Sequence, residues 1–354
     1  MKIKTYGVGH ITTYKLKIGK YVTMLDFNGD NMMKEDVEDL DLIFLSHEHL
    51  DHCEKLIDYD LITNLKSNVR IFATETTKKL ISYSLTKRMN SDKYRKKYND
   101  KKYNQITKLI DDIEIVRFKK KVSLDEKNSF TFYRSGHTFG SSMIYFNTEE
   151  FTLLYTGDMD YVENDNNRQY DFPYNMRVDY IIADGTNLFD KDYKGVRISS
   201  VRKKLSQKKP GDIVYYYARA EKAVLYALTL ASKLDNCIFI YTDQMKWYVK
   251  ILFEQEYNIF KTNKVFMERD VDNLSKSLYE SNIVVKFTDN QKNYYIDTCL
   301  SLHITKYEFS KFIKEHLSNT PKKIYIGHYD MKDAEQGNIQ IDNACILKVG
   351  ENDE

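Results

Sequence analysis

Three prolines, 13 glycines and one tryptophan in 354 residues leave no room for a Pro-rich linker protein, a collagen-like repeat or a low-complexity spacer. The cysteines are only four, Cys53, Cys237, Cys299 and Cys345, and none forms a Cys-x-x-Cys pair. That excludes a disulfide framework and a cysteine-based zinc site, and reduced cytosolic thiols are expected. Excess charge is also missing: 54 Lys+Arg against 52 Asp+Glu leave +2, so a polyanionic partner has to be met by a local patch. The opening MKIKTYGVGH lacks the apolar stretch of a signal peptide, and no run approaches the ~18 apolar residues of a membrane span. The expectation is a soluble, cytoplasmic chain with no membrane partner. What is present, 42% hydrophobic and 14% aromatic residues, describes a folded globular chain, long enough for about two domains.

Short strands separated by Gly and Asn turns are expected over 2–6, 12–17, 21–26 and 42–45. From Thr77 to about Ile113 the pattern becomes helical and dense in lysine and arginine, which reads as a solvated helical face. Strands return at 114–118, 130–134, 142–146, 152–155 and 180–183. Beyond Asp184 the texture alternates: strand 213–217, helix 220–234, strand 237–241, helix 245–256. Such alternation predicts a small parallel α/β unit inserted in a discontinuous host. A helix near 306–317 and a strand at 323–327 follow.

Histidine is rare, eight in all, yet three fall within Ser46-His47-Glu48-His49-Leu50-Asp51-His52. The cluster follows the apolar run Leu42–Leu45, so it sits where a buried strand emerges. Extended chain puts His47 and His49 on one side, and a turn at Leu50 can carry Asp51 and His52 to a neighbouring position. Imidazole and carboxylate together suit zinc or a similar first-row ion, and two pairs suit two adjacent ions. Two pairs do not fill two coordination spheres. Further donors stand at predicted strand ends: His137 in Ser135-Gly136-His137, Asp158 in Thr156-Gly157-Asp158, and His328 in Ile326-Gly327-His328. Each follows a glycine, which lets backbone approach a crowded site. His10 and His316 read as ordinary polar residues, and Trp247 as a core residue of its helix.

In this order the motifs resemble those of the metallo-β-lactamase superfamily, with Asp26 similar to its first motif, an aspartate supporting the metal loop. Within it, Gly136-His137-Thr138-Phe139-Gly140-Ser141-Ser142 and Leu154-Tyr155-Thr156-Gly157-Asp158 resemble the β-CASP nucleases, the branch of the pre-mRNA 3′-end-processing endonuclease and RNase J. Asp184, His303 in Ser301-Leu302-His303, and His328 match that branch's three further motifs, and Ala218-Arg219-Ala220 resembles a short turn of its insert. Thr305 and Tyr329 depart from it, where an acidic residue and a glycine are common.

The resemblance implies a four-layer αβ/βα metallo-β-lactamase sandwich over 1–194 and 292–354, with a small α/β β-CASP insert at 195–291. It implies two Zn2+ ions, with Mn2+ as the alternative: His47, His49 and His137 on one, Asp51, His52 and His328 on the other, and Asp158 bridging. Asp184 and His303 would be catalytic, the histidine as general acid oriented by the aspartate. The activity implied is hydrolysis of single-stranded RNA, endonucleolytic or 5′-exonucleolytic, by a dinuclear-metal-activated hydroxide. The alternatives are a DNA nuclease or phosphodiesterase with the same site, and a metallo-hydrolase that is not a nuclease. Single-stranded nucleic acid, RNA ahead of DNA, is the implied partner; no protein partner is readable.

Overall fold

The computed structural model describes residues 1–7, 12–92, 94–161, 170–189, 203–217, 234, 236–255, 265–269, 276–288, 296–297, 303–329 and 341–350. The chain divides into two compact units, Met1–Tyr193 with Leu302–Glu354, and Lys194–Ser301.

The first unit is built on two sheets. One has six strands in chain order: Ile3–Tyr6, Thr13–Ile18 and Tyr21–Leu25 pair antiparallel, then Leu42–Phe44, Arg70–Ala73 and Glu114–Ile115 continue in parallel. The other has seven, running Ala344–Ile346, Lys323–Gly327, Tyr180–Asp184, Thr152–Tyr155, Ser142–Asn147, Ser129–Arg134 and Val122–Ser123. Its first four strands are parallel and the remainder antiparallel.

Strand alternation explains why the sheets stack. In Leu42–Phe44, Leu42 and Phe44 enter a core shared with Phe130, Phe132 and Phe146 of the second sheet, while Ile43 faces the opposite way. There Ile43 meets Ile71, Ile81, Leu85, Ile106 and Ile110, the last four residues of the set being helical in the stretches Glu75–Met89 and Asp100–Asp111. Phe44 is a hub of the shared core, with ring centroids 5.0 Å from Phe72, 4.8 Å from Phe130 and 5.0 Å from Phe146. Helix Lys306–His316 buries Phe309 and Phe312 in the same core.

The second unit carries a five-stranded sheet, Val265–Met267, Cys237–Tyr241, Ile283–Thr288, Ile213–Tyr217 and Ile296–Asp297, with every pairing parallel. Parallel neighbours need crossover connections, and helix Lys246–Gln255 lies between the strands Cys237–Tyr241 and Val265–Met267.

Several expectations need correction. The basic stretch is two helices, Glu75–Met89 and Asp100–Asp111, with a short 3-10 turn at Arg95–Lys97 between them. Strand Arg70–Ala73 was not anticipated, because three apolar residues after an arginine give too short an alternation to register. Trp247 is 47% exposed on its helix and is not a core residue. His316 is buried between the rings of Tyr174 and Phe312, with Nδ1 3.1 Å from the carbonyl of Pro173, so it packs rather than merely fills a polar position. The expected helix at 220–234 falls, apart from Leu234, outside the described residues, as do His10 and the Ala218-Arg219-Ala220 turn. No helix among the described residues is long and apolar enough to cross a membrane.

One close approach joins the two sheets. A Cβ on Gly327, at the end of strand Lys323–Gly327, would collide with the hydroxyl of Tyr14 and lie 2.7 Å from its Cζ. Gly327→Ala is therefore expected to destabilise the protein by about 1–3 kcal/mol, the usual range for overpacking. Adding Tyr14→Phe, which removes the nearest atom, should recover part of the loss in a thermal melt. An unchanged melting midpoint for Gly327→Ala alone would show that Tyr14 yields without cost.

Candidate metal centre

Strand Leu42–Phe44 delivers its C-terminal end, through Leu45 and Ser46, directly to His47. A single helical turn, Leu50–Cys53, begins after His49 and swings Asp51 and His52 back toward it. The fold of this loop is fixed by the fully buried Asp26, which follows strand Tyr21–Leu25 with φ +57°. Oδ1 of Asp26 accepts from the Ser46 amide at 2.6 Å. Its Oδ2 accepts from Ser46 Oγ at 2.7 Å, Tyr155 Oη at 2.6 Å and His52 Nδ1 at 2.6 Å. The last bond fixes the His52 tautomer and aims Nε2 at the centre.

The other donors arrive from the second sheet. Strands Thr152–Tyr155, Tyr180–Asp184 and Lys323–Gly327 lie side by side in parallel, with Asp184 paired to Gly327. Parallel strands end on the same edge, so Asp184, closing its strand, and Asp158 and His328, just beyond theirs, converge there. Gly157 makes the approach possible: it has φ +52°, and a Cβ on it would lie 2.8 Å from the Cβ of Ser46. His137 follows strand Ser129–Arg134 and is fully buried.

Asp158 stands in the middle and its two oxygens face different groups. Oδ2 lies 3.5 Å from His47 Nε2 and 3.4 Å from His137 Nε2, whose ring nitrogen is in turn 3.2 Å from His49 Nδ1. Oδ1 lies 3.3 Å from His52 Nε2 and 2.5 Å from His328 Nδ1. Asp51 Oδ2 closes the second group at 3.7 Å from His52 Nε2 and 3.5 Å from His328 Nε2. Ligand atoms of His47, His49, His137 and Asp158 thus fall within 4.8 Å of one another, and so do those of Asp51, His52 and His328.

His303 and Asp184 lie beside this cluster. His303 Nδ1 is 2.8 Å from Asp184 Oδ2, an oxygen that also accepts from the Met159 amide. Asp184 Oδ1 accepts from the amide and hydroxyl of Thr186 at 3.0 and 2.7 Å. The structure therefore brings together all nine residues singled out in the sequence: His47, His49, Asp51, His52, His137, Asp158 and His328 in the cluster, His303 and Asp184 as a pair at its edge.

Sequence reasoning passed over several residues that hold this arrangement. Ser46 and Tyr155 bind Asp26, Asn187 Nδ2 donates to the His303 carbonyl at 3.0 Å, and Thr138 Oγ1 donates to the buried Glu48 at 3.1 Å. Adjacency to His47 could have flagged Ser46. Nothing distinguished Tyr155 among 29 tyrosines. Thr305, a departure from the family pattern, caps helix Lys306–His316 in a reciprocal pair with Glu308, so its role there is structural. Tyr329, the other departure, is buried and its hydroxyl donates to the Leu347 carbonyl.

The donor chemistry fits metal ions. Buried His47 Nε2, His52 Nε2 and Asp158 Oδ1 lie close to other polar atoms but make no well-directed hydrogen bond; such groups normally find one, and all three point into the cluster. The charge pattern agrees. Burial and the neighbouring His52 push the His47 imidazole well below its ordinary range. Burial acts against the charged form of His52 too, but the Asp158 and Asp26 carboxylates outweigh it and raise the group well above 6.5. His328 is raised to about 10, burial being overcome by Asp158 and then Asp51. Asp158 is held well below the carboxylate range because His328, His52, His47 and His137 outweigh its burial.

Residues 19–166 match the family described as the metallo-beta-lactamase superfamily domain. Cleavage and polyadenylation specificity factor 73 of Drosophila melanogaster is 23% identical over 320 residues, which are 77% of this chain and 44% of the fly protein. An RNase J-like protein of Methanocaldococcus jannaschii is 29% identical over 126 residues, 36% of this chain and 27% of that protein. A probable RNase MJ4 of the same organism is 27% identical over 184 residues, 49% of this chain and 40% of that protein. The chain spans less than half the length of each of these curated relatives. A crystal structure of a protein of unknown function from Enterococcus faecalis covers 99% of both chains with TM-score 0.63 at 12% identity, a likeness of fold. Residues 19–166 thus carry a metallo-β-lactamase superfamily domain, and the similar proteins are consistent with the β-CASP nuclease branch.

Because the Asp158 carboxylate draws both His52 and His328 above the ordinary imidazole range, a transition metal entering the cluster competes with protons for these rings. Calorimetric titration of metal-free protein with Zn2+ at pH 7, in buffers of different ionisation enthalpy, should report the release of about two protons per chain, with apparent affinity rising with pH. Release near zero would show that the ion binds elsewhere.

Proposed function

We propose that this metallo-β-lactamase domain serves a ribonuclease, one that hydrolyses phosphodiester bonds of single-stranded RNA as an endonuclease, a 5′-exonuclease or both. The observation that carries the reading is the division of the Asp158 carboxylate between two groups of donors, with the His303–Asp184 pair alongside. His47, His49 and His137 would hold one ion with Asp158 Oδ2, and Asp51, His52 and His328 the other with Oδ1. An all-nitrogen-and-oxygen donor set of this kind suits zinc, with manganese as the alternative. When bound, such a pair lowers the pKa of a shared water and offsets charge on a phosphate oxygen.

The chain's own contribution is a proton and a fixed geometry. The Asp184 carboxylate receives Nδ1–H of His303 and fixes the ring, so Nε2 is the atom that would donate to the leaving oxygen. Thr186 and the Met159 amide prevent Asp184 from turning, and Asn187 holds the His303 backbone. Departure of the 3′-oxygen as a hydroxyl would leave a 5′-phosphate on the other fragment. Two relatives bear RNase names and a third is a cleavage and polyadenylation factor, which favours RNA over DNA. A cytoplasmic location is part of the same proposal.

The direct test is incubation with matched end-labelled single-stranded RNA and DNA, with and without chelator and with zinc restored. Cleavage of RNA that chelator abolishes and zinc restores is expected; cleavage of DNA alone would replace the RNA reading. Asp158→Ala should abolish hydrolysis in a protein that still melts cooperatively, because both donor groups lose their shared carboxylate; near-normal turnover would exclude the bridging role.

His303→Ala is expected to keep two metal equivalents by elemental analysis but lose about 10² to 10⁴ in rate, the usual contribution of a positioned proton donor. On a substrate whose leaving oxygen is replaced by sulfur the deficit should shrink, since a thiolate leaves without a proton. His303 and Asp184 also lie within 4.8 Å of ligand atoms of Asp158 and His328, so loss of one metal equivalent in the variant would reassign His303 as a ligand. Asp184→Asn should give a milder deficit of the same kind.

A further inference from the structure

The basic segment between residues 77 and 113 is not used by the chemistry above, yet it walls a groove that reaches the metal centre. The groove is a cavity of about 800 Å³ whose lining includes Leu50 and Asp51 together with Tyr94, Lys97, Tyr98 and Lys102. Its volume lies within the range of ligand sites. Asp51, placed above among the candidate metal donors, has a side chain 52% exposed, and it is the point where the cluster and the groove meet.

The lining combines rings with cations. Lys102 Nζ lies 4.7 Å from the Tyr59 ring centroid, and Lys97 Nζ and the Arg88 guanidinium lie 5.1 and 4.9 Å from that of Tyr94. The charges are not all matched within the protein. Glu54 is paired with Arg88, and Asp58 and Asp30 share Lys55 at 3.6 and 3.9 Å, while Asp60 is an exposed carboxylate on the rim. Among the described residues Lys97 and Lys102 face no carboxylate within ion-pair distance; each has only a tyrosine ring. The tyrosines are partly exposed and anchored by their hydroxyls: Tyr59 to Gln105 at 2.7 Å, Tyr98 to the Ile57 carbonyl at 2.8 Å, Tyr94 to Glu54 at 3.1 Å. Rings held in this way present fixed faces, and Lys97 and Lys102 add ammonium groups beside them in a lining that also holds Asp30, Asp51, Glu54, Asp58 and Asp60. That pairing of aromatic faces with cations is what a single nucleic-acid strand requires, since every base has a π-face and every link a phosphate.

We propose that this groove is a binding subsite for the stretch of single-stranded nucleic acid next to the cleaved bond, with phosphates on Lys97 and Lys102 and bases against Tyr94 and Tyr98. The assignment rests on the nuclease reading and adds to it the wall along which the substrate strand lies. It also gives the lysine-rich segment a role other than a solvated face.

The test separates the two claims by reading binding and cleavage independently. Binding is followed by fluorescence anisotropy of a labelled 12-nucleotide single-stranded RNA, in chelator so that no turnover occurs, for the full chain and for Lys97→Gln/Lys102→Gln. The double variant should bind at least tenfold more weakly, and its slope of log K against log salt should be shallower by about 1.4, two phosphate contacts at ~0.7 each. Tyr94→Leu should weaken binding by about tenfold with an unchanged salt slope, the signature of a lost stacking contact. Circular dichroism and metal content of the variants check that the fold is retained. Equal binding by the parent chain and both variants overturns the groove, even where the parent cleaves RNA. Weaker binding in the variants, with no cleavage by the parent after zinc is restored, upholds the groove and overturns the nuclease reading. No binding by the parent overturns the groove, while cleavage after zinc is restored decides the nuclease reading by itself.

Discussion

The carboxylate of Asp26 is the group on which the rest of the centre depends. It is fully buried and accepts four hydrogen bonds, from the amide and hydroxyl of Ser46, from Tyr155 and from His52. Those donors belong to different parts of the unit: Ser46 and His52 flank the histidine loop of the first sheet, and Tyr155 ends a strand of the second. A buried carboxylate is costly unless its lone pairs are met, so the same bonds that stabilise Asp26 set the distance between the sheets' edges. The orientation of His52 follows from that constraint, and with it the direction in which Nε2 can reach a metal ion.

Convergence of the remaining donors is a consequence of strand direction. Asp158, Asp184 and His328 are separated by up to 170 positions in the chain, yet each lies at or just beyond the end of one of three neighbouring parallel strands, and these end together. Loops at that edge need no unusual length to bring the side chains into one cluster. Local backbone strain marks the same place. Asp26 and His328 both adopt positive φ, +57° and +47°, without being glycine. Non-glycine residues hold that conformation only when their surroundings over-determine it, and here the hydrogen bonds to Asp26 and the close contact of His328 with Asp158 do so.

Electrostatics then joins the cluster to its environment. Four imidazoles around one buried aspartate hold Asp158 well below the carboxylate range, and the same carboxylate draws His52 and His328 upward, as it would draw any cation placed there. The His303–Asp184 pair stands outside the division of Asp158 between the two donor groups, close enough to serve a substrate held there. Beyond Asp51 the groove sets Lys97 and Lys102 beside tyrosine rings, in a lining that also carries five carboxylates and in a chain whose net charge is only +2.

The sequence by itself determined the identity of the metal-donor candidates. Histidine is scarce, so three within six residues stood out, and the glycine-preceded His137, Asp158 and His328 followed apolar runs that could only be buried strands. Strands 152–155, 213–217, 237–241 and 323–327 were legible to the residue, because β-branched and aromatic runs bounded by turn residues encode them locally. Tertiary structure alone decided the rest. Ser46, Tyr155 and Asn187 matter through partners distant in sequence, a relation that no local pattern carries. Trp247 is exposed although its helix has an apolar face, since which side of a helix is covered depends on what packs against it. The same holds for Tyr94 and Tyr98: nothing in the order of residues separates them from the other tyrosines, and only the folding of helices 75–89 and 100–111 around the short turn at 95–97 brings them into the lining of the cavity that Asp51 also lines.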